Sequence, residues 1–581
     1  MLDPNQYKSD IESIAKEAGV ELAIEGDLEW QFFPAGIRVN QFNFALQDQS
    51  MVGIVEQLAI GTDIATLFAF ATRPYQLPIS SVSVVEGRIL YAIPDSLPLQ
   101  FSNIHFHTSS LSFDGKQFPV SLTLQAPMGL QLSLKSKLGL TTTEHEIVGF
   151  SLSDLQLGFN KLQFTGNIKG SNRLTDIQGN IDAQPFNLLD QFRLIKRFVP
   201  NLYIPQMTDP KALSNVAFTS QFNIETNGIS EIQTTLAVDG QAFDVDLLVD
   251  QPNYKLTTLI SGNRLDFTKY LPKQSSSVNT ALFAPLAIPL AVWHGQSQVE
   301  LSLQQLKLDR LTISNIYANL FGNQNVFKLT SFNADAFDGQ INATATLDMQ
   351  SSVANFEIDS SITNLKLEKM IEANDSNSGL SGIVNLDATI QGSGNQTTTI
   401  IRSLRGGGNL TMPSPNYKDM NIEKTLCDAA SLFSSSSKAN QQWSEGTQLD
   451  DLVANFQFNR GKLLVTDYQT GTGNINLSGD AVIDLLAQSY QFNTIALLNE
   501  AKTSSRGCSV SKLLQKRKIP FGCDGKFGEK ARCRPDSNLL NSFVKKPAVE
   551  SLNRKLEKKL EGENLPSPLQ QLIDKNLNRN R

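Results

Sequence analysis

Residues 297–350 read SQVELSLQQLKLDRLTISNIYANLFGNQNVFKLTSFNADAFDGQINATATLDMQ. Apolar side chains fall at alternate positions: Val299, Leu301 and Leu303, then Leu306 and Leu308, then Leu311 and Ile313, then Ile316, Ala318 and Leu320. After a polar break at 322–325 the alternation resumes at Phe332, Ala334 and Ala336, and beyond Asp338 and Gly339 at Ile341, Ala343, Ala345 and Leu347. A period of two means strands with one apolar face, because successive strand side chains point to opposite sides. The parity slips by one residue between several runs, which a strand tolerates only at a turn or a bulge. The stretch predicts a meander of short antiparallel strands.

The same period extends in both directions. It runs through Leu22 and Ile24, Leu28, Trp30 and Phe32, Ile37 and Val39, and Phe42, Phe44 and Leu46. It continues over 81–183 and returns at 216–224, 232–238 and 243–249. Helical spacing is confined to a few places. Asp3 caps and Pro4 opens a helix that Gly19 ends. Residues 62–71 predict a helical insert, and 185–198 a helix with Leu188, Leu189, Phe192, Ile195 and Phe198 on one face. From residue 538 apolar positions take helical spacing among many lysines, which predicts a basic amphipathic tail. Polar linkers are expected at 275–279 and 435–439. The resulting division is a β region over 1–274, a second β module over 280–537 and a tail over 538–581.

The chain has 581 residues, a net charge of −7 and a charged fraction of 18%. That fraction is below the usual value of about 25%. A negative body argues against nucleic acid as a partner. The tail differs, since 503–581 carry roughly ten more basic than acidic side chains, a charge suited to an anionic surface. No apolar run reaches the ~18 residues of a membrane-spanning helix. The longest, 281–293, is broken by Pro285 and Pro289. Met1 leads straight into polar sequence, without a secretory signal.

Catalytic signatures are missing. There is no HExxH, GxSxG or GxxxxGK[ST]. Of four histidines, His105 and His107 share one strand without a third ligand nearby, so no metal or cofactor is expected. The triple glycine 406–408 lacks the lysine and hydroxyl of a phosphate loop and is read as a turn between strands. The four cysteines, Cys427, Cys508, Cys523 and Cys533, all lie late in the chain, which suggests disulfides in an oxidising compartment. A hairpin centred near Gly528 would set Cys523 opposite Cys533, within bridging distance. Cys427 would then pair with Cys508 by elimination.

The segment at 2–44, with Asp3, Pro4, Asn5, Gly26, Leu28, Trp30, Phe33, Pro34 and Gly36, resembles the start of the periplasmic part of AsmA family proteins. Three further blocks, 306–348, 380–429 and 454–485, the last followed by 519–536, resemble the family's later strands in the same order. The resemblance implies a periplasmic body held at the inner membrane through an N-terminal helix absent from this chain. It also implies kinship with bridge-like proteins that pass lipid between membranes. On that reading the fold is an elongated, twisted antiparallel sheet forming a groove or trough, with a few short helices and the amphipathic tail.

The function expected is carriage of phospholipid along that groove in support of outer-membrane biogenesis, without catalysis. Leu301, Leu303, Ile313, Ile341 and Leu347 are the candidate lining residues, and the alternation alone does not say which face is inward. The partners expected are phospholipid, the inner membrane, and the outer membrane or its assembly factors. A different class remains open: a periplasmic scaffold or modulator of outer-membrane protein assembly that binds partners at strand edges.

Overall fold

The computed structural model describes residues 3–63, 79–271, 295–424 and 443–535, apart from positions 18, 49, 93–97, 113–114, 144–145, 198–203, 205–206, 374–378, 419–420, 423, 474, 499–515, 517 and 527–531. The predicted insert at 62–71, both linkers, the apolar run 281–293, the tail, Cys427 and Cys508 lie wholly or almost wholly outside the described residues. The chain is mainly β and divides into two compact units, Met1–Ile260 and Ser261–Arg581.

The first unit opens as its sequence predicts. Asp3 caps a short 3₁₀ turn, Pro4–Tyr7, by accepting from the Asn5 N–H at 3.0 Å, and helix α1 (Lys8–Glu17) follows. Gly19, at φ +86°, turns the chain into the sheet. Strands β1 (Val20–Ile24) and β2 (Leu28–Phe32) both pair with β3 (Ala35–Leu46), which pairs with β4 (Met51–Thr62), which pairs with β5 (Ser81–Tyr91). Each later strand, as far as Gln241–Asp250, pairs antiparallel with the one before it. The second predicted helix is present as Leu188–Ile195, capped by the Asn187 side chain. Leu189 is buried on it, but Ile195 is exposed.

The second unit repeats the scheme from Gln296–Leu308 to Arg532–Pro535. Its strands are longer than the sequence suggested. Residues 299–303 and 306–308 belong to one strand of 13 residues, and 311–313 and 316–320 to another. The parity slip between Ile313 and Ile316 is a bulge: Asn315 takes φ +50°, and the register shifts between Ser314 and Tyr317. An extra residue absorbed in this way keeps the apolar side chains on one face while the strand continues.

The glycine triplet is a second correction. Residues 406–408 lie inside the strand Arg405–Met412, not at a turn. A Cβ on Gly408 would stand 2.9 Å from both Ala388 Cα and the Phe456 ring and would run into the Asp387 carbonyl oxygen. Glycine is needed there because a facing aromatic ring and the neighbouring backbone occupy the space of a side chain.

Fully packed cores are local. In the first unit α1 helps to cover Ile24, Leu28, Val39, Phe42 and Val55, with Ile11 packed against them. In the second unit Leu365, Val384 and Met412 form one core, with Leu367 and Leu380 against it, and Ile475, Leu477 and Ala496 form another.

Candidate functional site

Directly opposed residues of paired strands lie on the same face of a sheet, so the registers can be followed from strand to strand. In the first unit one such row runs Leu28, Val39, Leu58, Val84, Phe106, Leu122, Leu134, Leu157, Phe164, Ala183, Phe218, Leu236, Phe243. Every member is apolar. A row on the other face, one residue along on most of these strands, runs Glu29, Arg38, Ala59, Ser83, His107, Ser121, Lys135, Gln156, Thr165, Asp182, Thr219, Thr235, Asp244. Only Ala59 breaks its polarity. The two faces are thus chemically distinct along the whole meander, and His107 belongs to the solvated one.

The second unit has the same organisation. A row runs Leu301, Ala318, Phe332, Ala343, Ser360, Ala388, Gly408, Phe456, Val465, Ala481, Phe492, Cys523, Cys533. A parallel row two residues along runs from Val299 and Leu320 through Ile358 and Ile390 to Phe458, Leu463 and Ile483. On the opposite face Asn333, Asn342, Ser361, Asp387, Asn409, Asn455 and Asp467 form a polar row. About twelve inter-strand steps of ~4.8 Å give each long apolar row a run of roughly 58 Å before twist.

Polar groups on the apolar face are turned back into the sheet. Thr108 Oγ1 donates to the Pro119 carbonyl at 2.9 Å, Ser136 Oγ to the Ser153 carbonyl at 2.9 Å, and Ser220 and Thr234 share a hydrogen bond of 3.0 Å. Tyr468 bonds Thr494, and burial pushes its hydroxyl pKa up, which keeps it neutral. Each hydroxyl is satisfied without a partner from outside, so the face stays apolar in effect.

All five candidate lining residues fall on this face. Leu301 stands in the long row and Leu303 two residues along the same strand. Ile313 faces Ala336, Ile341 lies between Ala334 and Ile362, and Leu347 lies between Phe327 and Phe356. Leu303 is only 4% exposed, whereas Leu301, Ile313, Ile341 and Leu347 are half-buried. The four described α-helices, α1, Leu188–Ile195, Leu367–Ala373 and Thr397–Ser403, are too few and too short to cover these rows.

At the start of the first unit the apolar face deepens into a cavity of about 760 Å³. Its side-chain lining is mainly apolar, from Ile11, Leu22, Ile24, Trp30, Phe32, Ile37, Val39, Phe42, Leu58 and Ile60 with Ala35 and Ile79, and Gln31 and Thr62 are its polar members. That volume lies within the range of pockets that hold small molecules. Two polar clasps fix the helix and strands around it. Asn5 Oδ1 accepts from the Leu28 N–H at 2.9 Å while Asn5 Nδ2 donates to the Leu28 carbonyl at 3.3 Å, and Glu12 Oε1 accepts from the Ile24 N–H at 2.7 Å. Sequence reading found the helix start but missed both clasps, because each joins residues separated by at least 12 positions.

In the second unit the turn at Asp338 is tied down electrostatically. Its carboxylate accepts from Lys366 Nζ at 2.8 Å and Lys369 Nζ at 2.6 Å, and these two ammonium groups hold its pKa down at about 2. Among the described residues no group of three or more His, Cys, Asp or Glu could hold a metal ion, and no helix is long and apolar enough to cross a membrane.

Each unit is thus an antiparallel β-meander with one largely apolar and one polar face, which makes this a mainly β, open-sheet protein. Residues 124–468, more than half of the chain, match the model of the AsmA family, and the chain belongs to that family. The match takes in the blocks at 306–348 and 380–429; the first block, 2–44, lies outside it. No curated protein matches the chain.

Proposed function

We propose that this AsmA family protein carries phospholipid between membranes, with the acyl chains lying along the apolar face of the sheet. The observation that carries the reading is the register of apolar residues followed from strand to strand within each unit, unbroken in the first and interrupted in the second by Ser360 and Gly408, and half-buried along most of its course. Family membership supports a role in outer-membrane-related lipid transport. Each methylene moved from water to an apolar surface gains about 0.8 kcal/mol, so two bare acyl chains would cost on the order of 20 kcal/mol in transit. A continuous apolar face removes most of that barrier without any chemical step, and the function proposed is transfer, not catalysis. The protein would act in the periplasm, receive lipid at the inner membrane and deliver it toward the outer membrane.

The test is site-specific photo-crosslinking in protein gently extracted from its host, with native mass spectrometry to identify what is bound. A photoreactive side chain at Leu301, Ile313 or Ile341 should label phospholipid, and one at Ser302 or Asn342 should not. Labelling equal on both faces, or absent from all positions, would refute a groove.

A further inference from the structure

The hairpin joining β2 to β3 ends in an aromatic tip at the mouth of the N-terminal cavity. Phe33 is 94% exposed, Phe32 63% and Trp30 40%. Trp30 and Phe32 line the cavity as well. From Trp30 to Ile37 the sequence WQFFPAGI carries no charge, and the charged residues on either side, Glu29 and Arg38, face each other across the hairpin with Arg38 Nη1 3.7 Å from Glu29 Oε2. The tip is braced from behind. Pro34 lies against Gly61, where a Cβ would stand 2.6 Å from the proline Cγ, so the hairpin is seated on β4 and holds its rings outward.

We propose that this tip inserts into the interfacial layer of a phospholipid bilayer, setting the mouth of the cavity against the membrane surface. The Trp30 indole suits the headgroup level of a bilayer, where an apolar body and a polar N–H are both accommodated, and the Phe32 and Phe33 rings suit the acyl boundary just below it. Exposing large apolar side chains on a braced, uncharged projection to water is unfavourable, and their transfer into the bilayer is favourable. A second copy of the chain fits less well as the occupant. A stable protein interface buries about 800 Å² per partner, from roughly 20–30 residues, and a projection limited to residues 30–37 does not supply that area. The continuity of the tip with the cavity gives insertion a use, since a lipid chain leaving the bilayer would meet apolar surface throughout. Insertion itself does not depend on the transfer reading.

The experiment is flotation of the 581-residue chain with phosphatidylcholine vesicles, comparing the wild type, Phe33→Asp and Tyr254→Asp. Tyr254, 74% exposed and remote in sequence from the tip, controls for loss of any exposed aromatic ring. Phe33→Asp should weaken vesicle partitioning at least about tenfold, the scale of one phenylalanine returned to water, and Tyr254→Asp should leave it unchanged. Far-UV circular dichroism checks that both variants are folded. Equal partitioning of wild type and Phe33→Asp, or no partitioning by the wild type, overturns the proposal. So does a concentration-dependent dimer that Phe33→Asp abolishes, which would make a second copy the partner. Lipid labelling at Ile341 is read separately, so a failure of insertion and a failure of the groove are distinguishable.

Discussion

Cys523 and Cys533 are directly opposed residues of the antiparallel strands Lys518–Lys526 and Arg532–Pro535. This is the register that a hairpin centred near residue 528 predicts, and Cys523 is disulfide-bonded. Facing positions of an antiparallel pair bring Cα atoms to about 4.5–5.5 Å, inside the range that a disulfide spans. Non-reducing peptide mapping should therefore recover a Cys523–Cys533 link. A Cys508–Cys523 link would show a different register, and four alkylatable thiols in protein taken from the cell would argue against an oxidising compartment.

The face assignment predicts opposite outcomes for two leucines. Leu155 is 4% exposed, so Leu155→Ala should lower unfolding stability by about 2–5 kcal/mol. Leu248 is exposed on the opposite face from Leu247, and Leu248→Ala should stay within about 0.5 kcal/mol of the wild type. Urea unfolding of the two variants measures both. Equal losses would mean that the two faces are not distinct.

Gly408 should resist enlargement for a backbone reason. Gly408→Val forces a side chain against the Asp387 carbonyl and the Ala388 Cα, and should destabilise by about 1–3 kcal/mol. Because the clash is with backbone as well as with the Phe456 ring, the same substitution in a Phe456→Ala background should not be rescued. Recovery in that double variant would assign the tightness to the ring alone.

Asp338 should give a pH-dependent contribution at the acid end. Hydrogen bonds and charge from Lys366 and Lys369 depress its pKa from the ordinary 3.8 to about 2. A depressed carboxylate stabilises the fold above its unfolded pKa and loses that contribution as pH falls through the folded value. Asp338→Asn should therefore lower Tm at neutral pH, with the difference from wild type shrinking between pH 4 and pH 2. A difference that is constant across that interval would show that the ion pairs contribute nothing at this exposed turn.

Asn5→Ala tests the clasp that closes the N-terminal cavity. It removes both hydrogen bonds to the Leu28 backbone, one to the N–H and one to the carbonyl, and leaves two part-buried backbone groups seeking water. Lost stability of about 1–3 kcal/mol is expected, together with faster amide exchange at Leu28. Unchanged exchange there would show that packing alone holds the helix.

The sequence by itself determined the class of structure. Alternation at Leu301 and Leu303, or at Ile341, Ala343 and Ala345, has one physical reading, because a strand sends successive side chains to opposite faces. The helix start at Asp3 and Pro4 and the facing of Cys523 with Cys533 were equally legible, since caps and hairpins are settled by residues near one another in the chain. Only the tertiary structure decided the rest. Whether the slip at Ile313 and Ile316 was a turn or a bulge depended on the neighbouring strand that continues past it. That the glycines at 406–408 lie inside a strand and not at a turn has its reason across the sheet, in the carbonyls of Thr389, Phe456 and Asp387 and, at Gly408, the ring of Phe456. The cavity, its clasp by Asn5 and the joining of separate apolar runs into rows depend on registers between strands, and a register is a relation between distant residues that no single stretch of sequence contains.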